Sequence, residues 1–336
     1  MSMALSYPLK VGLIGAGYWG QNLLRVFHEL GALKIICDLD ENILAKRKEQ
    51  YPDLETTNDF QHLLDDDTLT GIIIASPAVT HYELAKKVLL AGKDAFVEKP
   101  LALEVAEGEE LTQLAATQGR ILMVGHLLLY HPAIIELKKR ITQGDLGTLC
   151  YICSNRLNFG KLRREENVLW SFAPHDIAVI IDFLGVPNDV YAVGRAYLQN
   201  DIPDITLSTL SFNDSRSAHI FISWLNPFKE QRLTVIGSEA MAVFDDQAVH
   251  KLVVYRHRIQ WSSNGAPEAV KVPGEVIVLP ADEPLRKEAE HFLECMETRA
   301  IPRTDGAEAV EVLKVLEACQ KSLNKNSLLL GAVSSL

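Results

Sequence analysis

Near the amino terminus, Val11-Gly12-Leu13-Ile14-Gly15-Ala16-Gly17-Tyr18-Trp19-Gly20 spaces three glycines as G-x-G-x-x-G between a short apolar run and an amphipathic stretch. In such a strand–loop–helix, Gly15 permits the tight turn, Gly17 lets backbone approach a pyrophosphate, and Gly20 lets the helix pack close on the strand. The helix start adds free N–H groups and a partial positive charge. Leu33–Cys37 reads as the next strand, and Asp38 ends it eighteen positions after Gly20. A carboxylate there accepts hydrogen bonds from a ribose 2′-hydroxyl and repels a 2′-phosphate. No arginine adjoins Asp38, which favours NAD over NADP as cofactor. The reservation is Lys46-Arg47-Lys48, which reads as a solvated helix face but has the charge to reach for a phosphate.

The alternation persists through the first third. Lys10–Ile14, Leu33–Cys37, Gly71–Ala75, Ala95–Val97 and Ile121–Val124 read as strands; Gly20–Leu30, Glu41–Tyr51, Thr80–Ala91 and Glu104–Thr117 read as helices. This pattern predicts βαβ units in a doubly wound parallel sheet. Beyond about residue 149 the runs become β-rich: Val190–Ala196, Ile205–Phe212, Ser217–Trp224, Arg232–Ile236 and Leu252–Tyr255, with turn residues at Asn213-Asp214, Asn226-Pro227 and Gly237-Ser238. Helical stretches Leu285–Thr298 and Ala307–Leu323 close the chain. The expected fold is α/β: a Rossmann domain over residues 1–124 that binds NAD, then an α+β domain over 125–336, built on a largely antiparallel open sheet, for substrate binding and oligomerisation.

Composition narrows the function classes. With 48% hydrophobic and 23% charged residues, the 336-residue chain is neither disordered, collagen-like nor a disulfide scaffold. Its net charge of −11 argues against nucleic acid, which is held by neutralising phosphates. Five scattered cysteines, with no basic and apolar leader, fit a reducing cytoplasm. Cys150 and Cys153 have C-x-x-C spacing but lack a second ligand pair, so no metal site is expected. No apolar run approaches the roughly 18 residues of a membrane span.

Glu98-Lys99-Pro100 directly follows a predicted strand, at the carboxyl edge where doubly wound sheets bind ligands. Three further segments accompany it: Ala75-Ser76-Pro77-Ala78-Val79-Thr80-His81, Ala91-Gly92-Lys93, and Pro174-His175-Asp176. Their order and spacing, with Pro302-Arg303-Thr304-Asp305-Gly306 before the last helix, resemble the glucose-fructose oxidoreductase / inositol dehydrogenase (Gfo/Idh/MocA) family over nearly the whole chain. The resemblance implies a dehydrogenase acting on CH–OH groups with a nicotinamide cofactor. It implies a cofactor site of Gly15, Gly17, Tyr18, Trp19, Gly20, Asp38, Ser76, Pro77, His81, Glu98 and Lys99, with Glu98 on the nicotinamide ribose. Lys99 and His175 match the active-site lysine and histidine. The family often has Asp four residues before this histidine; here Ser171 stands there, which puts a carboxylate relay in doubt.

The chemistry suits both side chains. Oxidising a secondary alcohol needs a base for the hydroxyl proton and positive charge near the developing oxyanion. A protonated Lys99 supplies the second. His175, intrinsically near pKa ~6.5, supplies the first. Pro174 reads as a first-turn proline of a helix running to about Leu184, which would put His175 at a helix N-terminus and favour its neutral form.

Arg156, Lys161, Arg163 and Arg164 put four basic residues within nine positions of an acidic chain. The charge pattern alone leaves two readings open, a diphosphate site or a loop neutralised by Glu165 and Glu166. Together with Gly125-His126-Leu127-Leu128-Leu129-Tyr130-His131-Pro132, the stretch resembles the sugar-nucleotide branch of the family. That implies oxidation of a sugar hydroxyl, C3 of a sugar nucleotide such as UDP-N-acetylglucosamine, upstream of a sugar aminotransferase in surface glycolipid or polysaccharide synthesis. Arg156, Lys161, Arg163 and Arg164 are then the candidate UDP-sugar contacts, and Tyr130 and Trp170 either line the sugar pocket or belong to the core. A free-sugar or inositol dehydrogenase and a non-catalytic NAD-binding sensor are the alternatives. The family's habit of packing the open sheet against another subunit implies a homodimer or homotetramer.

Overall fold

A computed structural model describes residues 9–160, 162–164 and 166–331, the last five as backbone only. The described residues form two compact units, residues 9–130 with 282–313 and residues 131–281 with 314–331.

The first unit is built on β1 (Val11–Ile14), β2 (Leu33–Cys37), β3 (Glu55–Thr57), β4 (Gly71–Ile74), β5 (Asp94–Val97) and β6 (Leu122–Val124). They form one sheet in the order β3-β2-β1-β4-β5-β6, every pairing parallel. β1, β4, β5 and β6 are buried throughout, as expected of strands covered on both faces. Between them run α1 (Gly20–Glu29), α2 (Glu41–Gln50), α3 (Gln61–Asp65), α4 (His81–Leu90) and α5 (Val105–Gln118). In α1 the residues Gly20, Leu23, Leu24 and Phe27 recur at helical spacing and form the buried stripe. The short β3 and α3 escape the sequence reading, because three residues of Glu-Thr-Thr carry no apolar period.

The second unit carries α6 (Pro132–Thr142), β7 (Leu149–Phe159), α7 (Val168–Leu184), β8 (Asp189–Arg195), β9 (Ile205–Ser211), β10 (Ser217–Ser223), β11 (Leu225–Gly237), β12 (Met241–Asp245), β13 (Leu252–Tyr255), β14 (Arg258–Trp261), β15 (Pro267–Val270) and β16 (Glu275–Val276). Eight strands form a sheet ordered β16-β13-β12-β11-β7-β10-β9-β8, antiparallel except for β10 on β7. β14 and β15 pair separately. Asn226-Pro227, expected as a turn, lies inside β11 where the register against β7 breaks between Leu225 and Glu230. Proline cannot donate to the ladder, so a long strand tolerates it at such an irregularity.

The chain then crosses back. α8 (Pro284–Thr298) packs on the first unit, where Phe292 meets Phe27 and Phe96 edge-on at 6.4 and 5.6 Å between ring centroids. Arg299 holds Asp94 at the start of β5 with Nη1 and Nη2, at 2.6 and 2.9 Å. A single cut at residue 124 therefore differs from the observed division, which falls after Tyr130 and again within α9 (Gly306–Gly331). Helical periodicity announces an amphipathic helix but not the sheet it covers. Among the described residues, no helix is long and apolar enough to cross a membrane.

All three rings of the Phe27–Phe96–Phe292 cluster are fully buried. Phe292→Ala is expected to destabilise the protein by about 3–5 kcal/mol, read as a lower urea midpoint by circular dichroism.

Candidate functional site

Because β1, β4 and β5 are parallel neighbours, their carboxyl ends lie on one edge of the sheet. The glycine loop follows β1, Ala75-Ser76-Pro77 follows β4, and Glu98-Lys99-Pro100 follows β5. Nine of the sequence-predicted cofactor positions, in the glycine loop and at Ser76, Pro77, Glu98 and Lys99, thus collect on one edge for a topological reason.

The glycine loop has the shape a dinucleotide needs. Gly15 has φ +90°, and a Cβ there would lie 2.7 Å from the Ala75 carbonyl oxygen; a Cβ at Gly20 would lie 1.9 Å from the Gly15 carbonyl oxygen. Backbone alone therefore requires glycine at both. At Gly17 a Cβ would meet nothing within 4 Å, so folding sets no demand on that residue, and open space stands where a phosphate would approach. No side chain caps the start of α1. The Asp38 carboxylate ends β2 and accepts from Ala16 N at 2.8 Å and Asp40 N at 3.0 Å, fixed beside the loop. These features fit a dinucleotide.

Arg47 has a structural task. It is 7% exposed, donating from Nε to the Ala16 carbonyl at 3.1 Å and from Nη2 to Gln21 at 3.0 Å, so it braces the glycine loop from α2. Lys48 donates to the carbonyls of Pro52 and Leu54. Of the expected solvated basic run, Lys46 and Lys48 are exposed and only Arg47 is buried.

Trp19 and Glu98 are joined: the indole N–H donates to Glu98 Oε1, and Lys99 N donates to Oε2 at 3.2 Å. Burial pushes the Glu98 carboxyl above the usual carboxylate range, opposed by the Trp19 bond and the Lys99 charge. Glu288 of α8, fully buried, is raised well above that range by burial and by Glu98. Nothing in the sequence pattern singled out Glu288, since one Glu in an amphipathic helix reads as solvent-facing. Tyr18 is 78% exposed. Ser76 Oγ meets Thr80 Oγ1 at 2.7 Å. His81, expected to touch the cofactor, is 1% exposed with both ring nitrogens at hydrogen-bond distance from backbone carbonyls.

Of the two readings of Tyr130, sugar pocket or core, the structure favours the core. It is 3% exposed in the first unit, its hydroxyl 3.1 Å from Thr304 Oγ1 and its ring under Arg303, and burial raises its pKa beyond any working range. It is a core residue.

In the second unit, α7 begins at Asn167, whose side chain caps Leu169 N and Trp170 N at 3.0 and 3.3 Å. The expected start at Pro174 is two turns too late. Pro174 is internal, His175 is half-buried in mid-helix, and the argument that a helix N-terminus neutralises its imidazole falls. A long apolar helix hides its own start: Val168 to Ala173 has no period to separate it from a strand. Ser171 lies one turn before His175 on the same face, buried.

Arg156 is not presented outward. Its Nε and Nη2 hold Asp176 at 2.6 and 3.1 Å, and Ser154 Oγ donates to the same carboxylate at 2.7 Å, all three residues buried. This pair fastens β7 to α7 beside His175. Alternation along β7, which puts 154 and 156 on one face, was the available signal. Arg163 pairs with Glu166 at 3.0 Å, the neutralised-loop alternative, while Arg164 is exposed and Lys161 lies outside the described residues. Trp170 is half-buried with its indole N–H on Gln320 at 3.1 Å.

Residues 9–126 match the profile described as oxidoreductase family, NAD-binding Rossmann fold (GFO_IDH_MocA), and residues 134–243 match the GFO/IDH/MocA C-terminal domain. The chain belongs to the Gfo/Idh/MocA family of oxidoreductases. Relatives in this family differ in substrate. UDP-N-acetylglucosamine 3-dehydrogenase of Acidithiobacillus ferrooxidans is 25% identical over 317 residues, covering 91% of this chain and 94% of that protein. Its solved structure superposes with a TM-score of 0.82 at 23% identity, covering 94% and 97% of the two chains. The scyllo-inositol 2-dehydrogenase (NADP(+)) IolW of Bacillus subtilis is 26% identical over 208 residues, 57% of this chain. This chain spans 56% of the length of IolW and 56% of the Escherichia coli oxidoreductase YdgJ.

Within the second unit, Arg156→Met strands a buried carboxylate and is expected to cost about 3–5 kcal/mol in urea unfolding. Arg156→Met with Asp176→Leu should recover part of that loss, since the orphaned charge is gone.

Proposed function

We propose that this protein is an NAD-dependent dehydrogenase that oxidises a secondary hydroxyl, C3, of a sugar nucleotide such as UDP-N-acetylglucosamine to a ketone. The observation that carries the cofactor half is the glycine loop with Asp38 fixed beside it. A carboxylate at that spot disfavours a 2′-phosphate, and the cation most able to offset it, Arg47, is spent on the loop's own backbone. The substrate half is supported by the match along nine-tenths of the chain to a UDP-N-acetylglucosamine 3-dehydrogenase.

Gly15, Gly17, Gly20 and Asp38 would hold the dinucleotide, with Ser76, Pro77 and Glu98 toward the nicotinamide ribose. The bound nicotinamide supplies a hydride acceptor. The chain's own residues supply the rest: His175 takes the hydroxyl proton as C=O forms, and the Lys99 ammonium stabilises negative charge developing on that oxygen. Ser171 cannot hold a charge, so no carboxylate relays the proton onward from that position. Arg164 and Lys161 remain the candidates for diphosphate contact, Arg156 being committed to Asp176.

Incubation with NAD and a panel of UDP-sugars, following NADH absorbance and product mass, is the test. A ketone two mass units lighter than a UDP-sugar is expected, and Lys99→Met and His175→Ala should each lower kcat by at least 100-fold while NAD binding persists. Turnover of an inositol with none of any UDP-sugar would overturn the substrate assignment. NAD binding without turnover of either class would favour a sensor.

We also propose a homo-oligomer through the open face of the second sheet. Val193, Leu207 and Phe221 stand in register across β8, β9 and β10 on the face away from buried Ala192 and Leu210. An apolar row of this kind fits a second copy of the sheet. Sedimentation at micromolar concentration should give a dimer or tetramer, and Leu207→Lys with Phe221→Lys should shift it toward monomer.

A further inference from the structure

We propose that His81 is a buried imidazolium whose two ring N–H groups clamp the turn after β4 to the turn after β5, making it a positioning residue for Lys99 and the glycine loop. His81 opens α4 and is 1% exposed. Its Nδ1 lies 2.7 Å from the Pro100 carbonyl oxygen and its Nε2 lies 2.9 Å from the Ser76 carbonyl oxygen. A carbonyl oxygen can only accept. A neutral imidazole has one N–H and one lone pair, so either tautomer would set a ring lone pair against an oxygen lone pair at contact distance. Only the doubly protonated ring satisfies both bonds.

Two effects oppose the charge. Burial disfavours an ionised group, and the amino end of α4 carries a partial positive charge. Two charge-assisted hydrogen bonds oppose them, and loss of the proton would do more than remove a bond: it would leave a buried acceptor facing another acceptor. The geometry therefore selects the cation.

The clamp's position gives it a task. Ser76 belongs to the turn that touches the glycine loop, since a Cβ at Gly15 would lie 2.9 Å from Ser76 N. Pro100 directly follows Lys99. One ring thus spans from the glycine-loop side to the Lys99 side across strands whose ends pair at Ile74 and Val97. Being buried, His81 acts through these two turns and touches no ligand.

The protonation state is tested directly on the wild-type, full-length protein, labelled with nitrogen-15 and studied at about pH 7.5, where a histidine of ordinary pKa near ~6.5 is mostly neutral. With His81 assigned among the ten histidines by side-chain-to-backbone correlations, both its ring nitrogens are expected to carry protons. One unprotonated nitrogen would overturn the proposal. The positioning role is tested with His81→Gln, whose amide donates from one nitrogen only: NAD and NADH binding, by calorimetry, should weaken about tenfold with the far-ultraviolet spectrum retained. Unchanged affinity for both would overturn that role. This second arm rests on the proposed cofactor site, and the arms separate the two ideas: a wild type that binds neither nucleotide refutes the site, whereas the nitrogen spectrum judges the imidazolium regardless. If His81→Gln does not fold, the wild-type spectrum decides.

Discussion

The arrangement depends first on one register. β4 lies between β1 and β5 in a fully parallel sheet, so three chain segments far apart in sequence end on the same edge. Each end is followed at once by a loop carrying chemistry: glycines after β1, Ser76-Pro77 after β4, Glu98-Lys99 after β5. Antiparallel pairing anywhere in that trio would send one of these loops to the opposite edge. The close approach of Gly20 to the Gly15 carbonyl, and of Gly15 to Ala75, then sets how tightly the first two loops nest.

Around that edge, polar groups are spent on holding loops rather than left facing solvent. Arg47 braces the glycine loop, Trp19 reaches to Glu98, and His81 ties two turns. Burial and the neighbouring Glu98 both push the Glu288 carboxyl well above the usual range, and its oxygens have no hydrogen-bond partner, whereas Glu98 accepts from Trp19 and from Lys99 N. In the second unit Asp176 does comparable work, gathering Ser154 and Arg156 beside His175. Preorganisation by such supporting contacts is what lets a few reactive side chains hold fixed positions.

Much of this was legible in the chain. The βαβ periodicity located five of the six strands of the first sheet within a residue or two, missing only the short β3, and the antiparallel character of the second sheet followed from its β-rich runs and turn residues. The misreadings share a cause. Arg156 and His81 were offered to ligands because charge and polarity usually mean surface; each instead found a buried partner contributed by another element. α7 was begun at Pro174 because proline favours a first turn, while the true cap, Asn167, sits before an apolar run with no polar stripe to mark it.

By itself, then, the sequence determined the local geometry: where glycine is obligatory, which runs alternate with a period of two or 3.6, and that Asp38, Glu98 and Lys99 fall at strand ends. Those are properties of neighbouring residues and their backbone angles. Only the tertiary structure decided which cations are spent, that α8 returns to the first sheet, that His81 faces two carbonyls, and that a buried Glu288 feels the charge of Glu98. The physical reason is that a polar side chain's state is set by what surrounds it once water is removed, and those surroundings come from parts of the chain that no local pattern brings together.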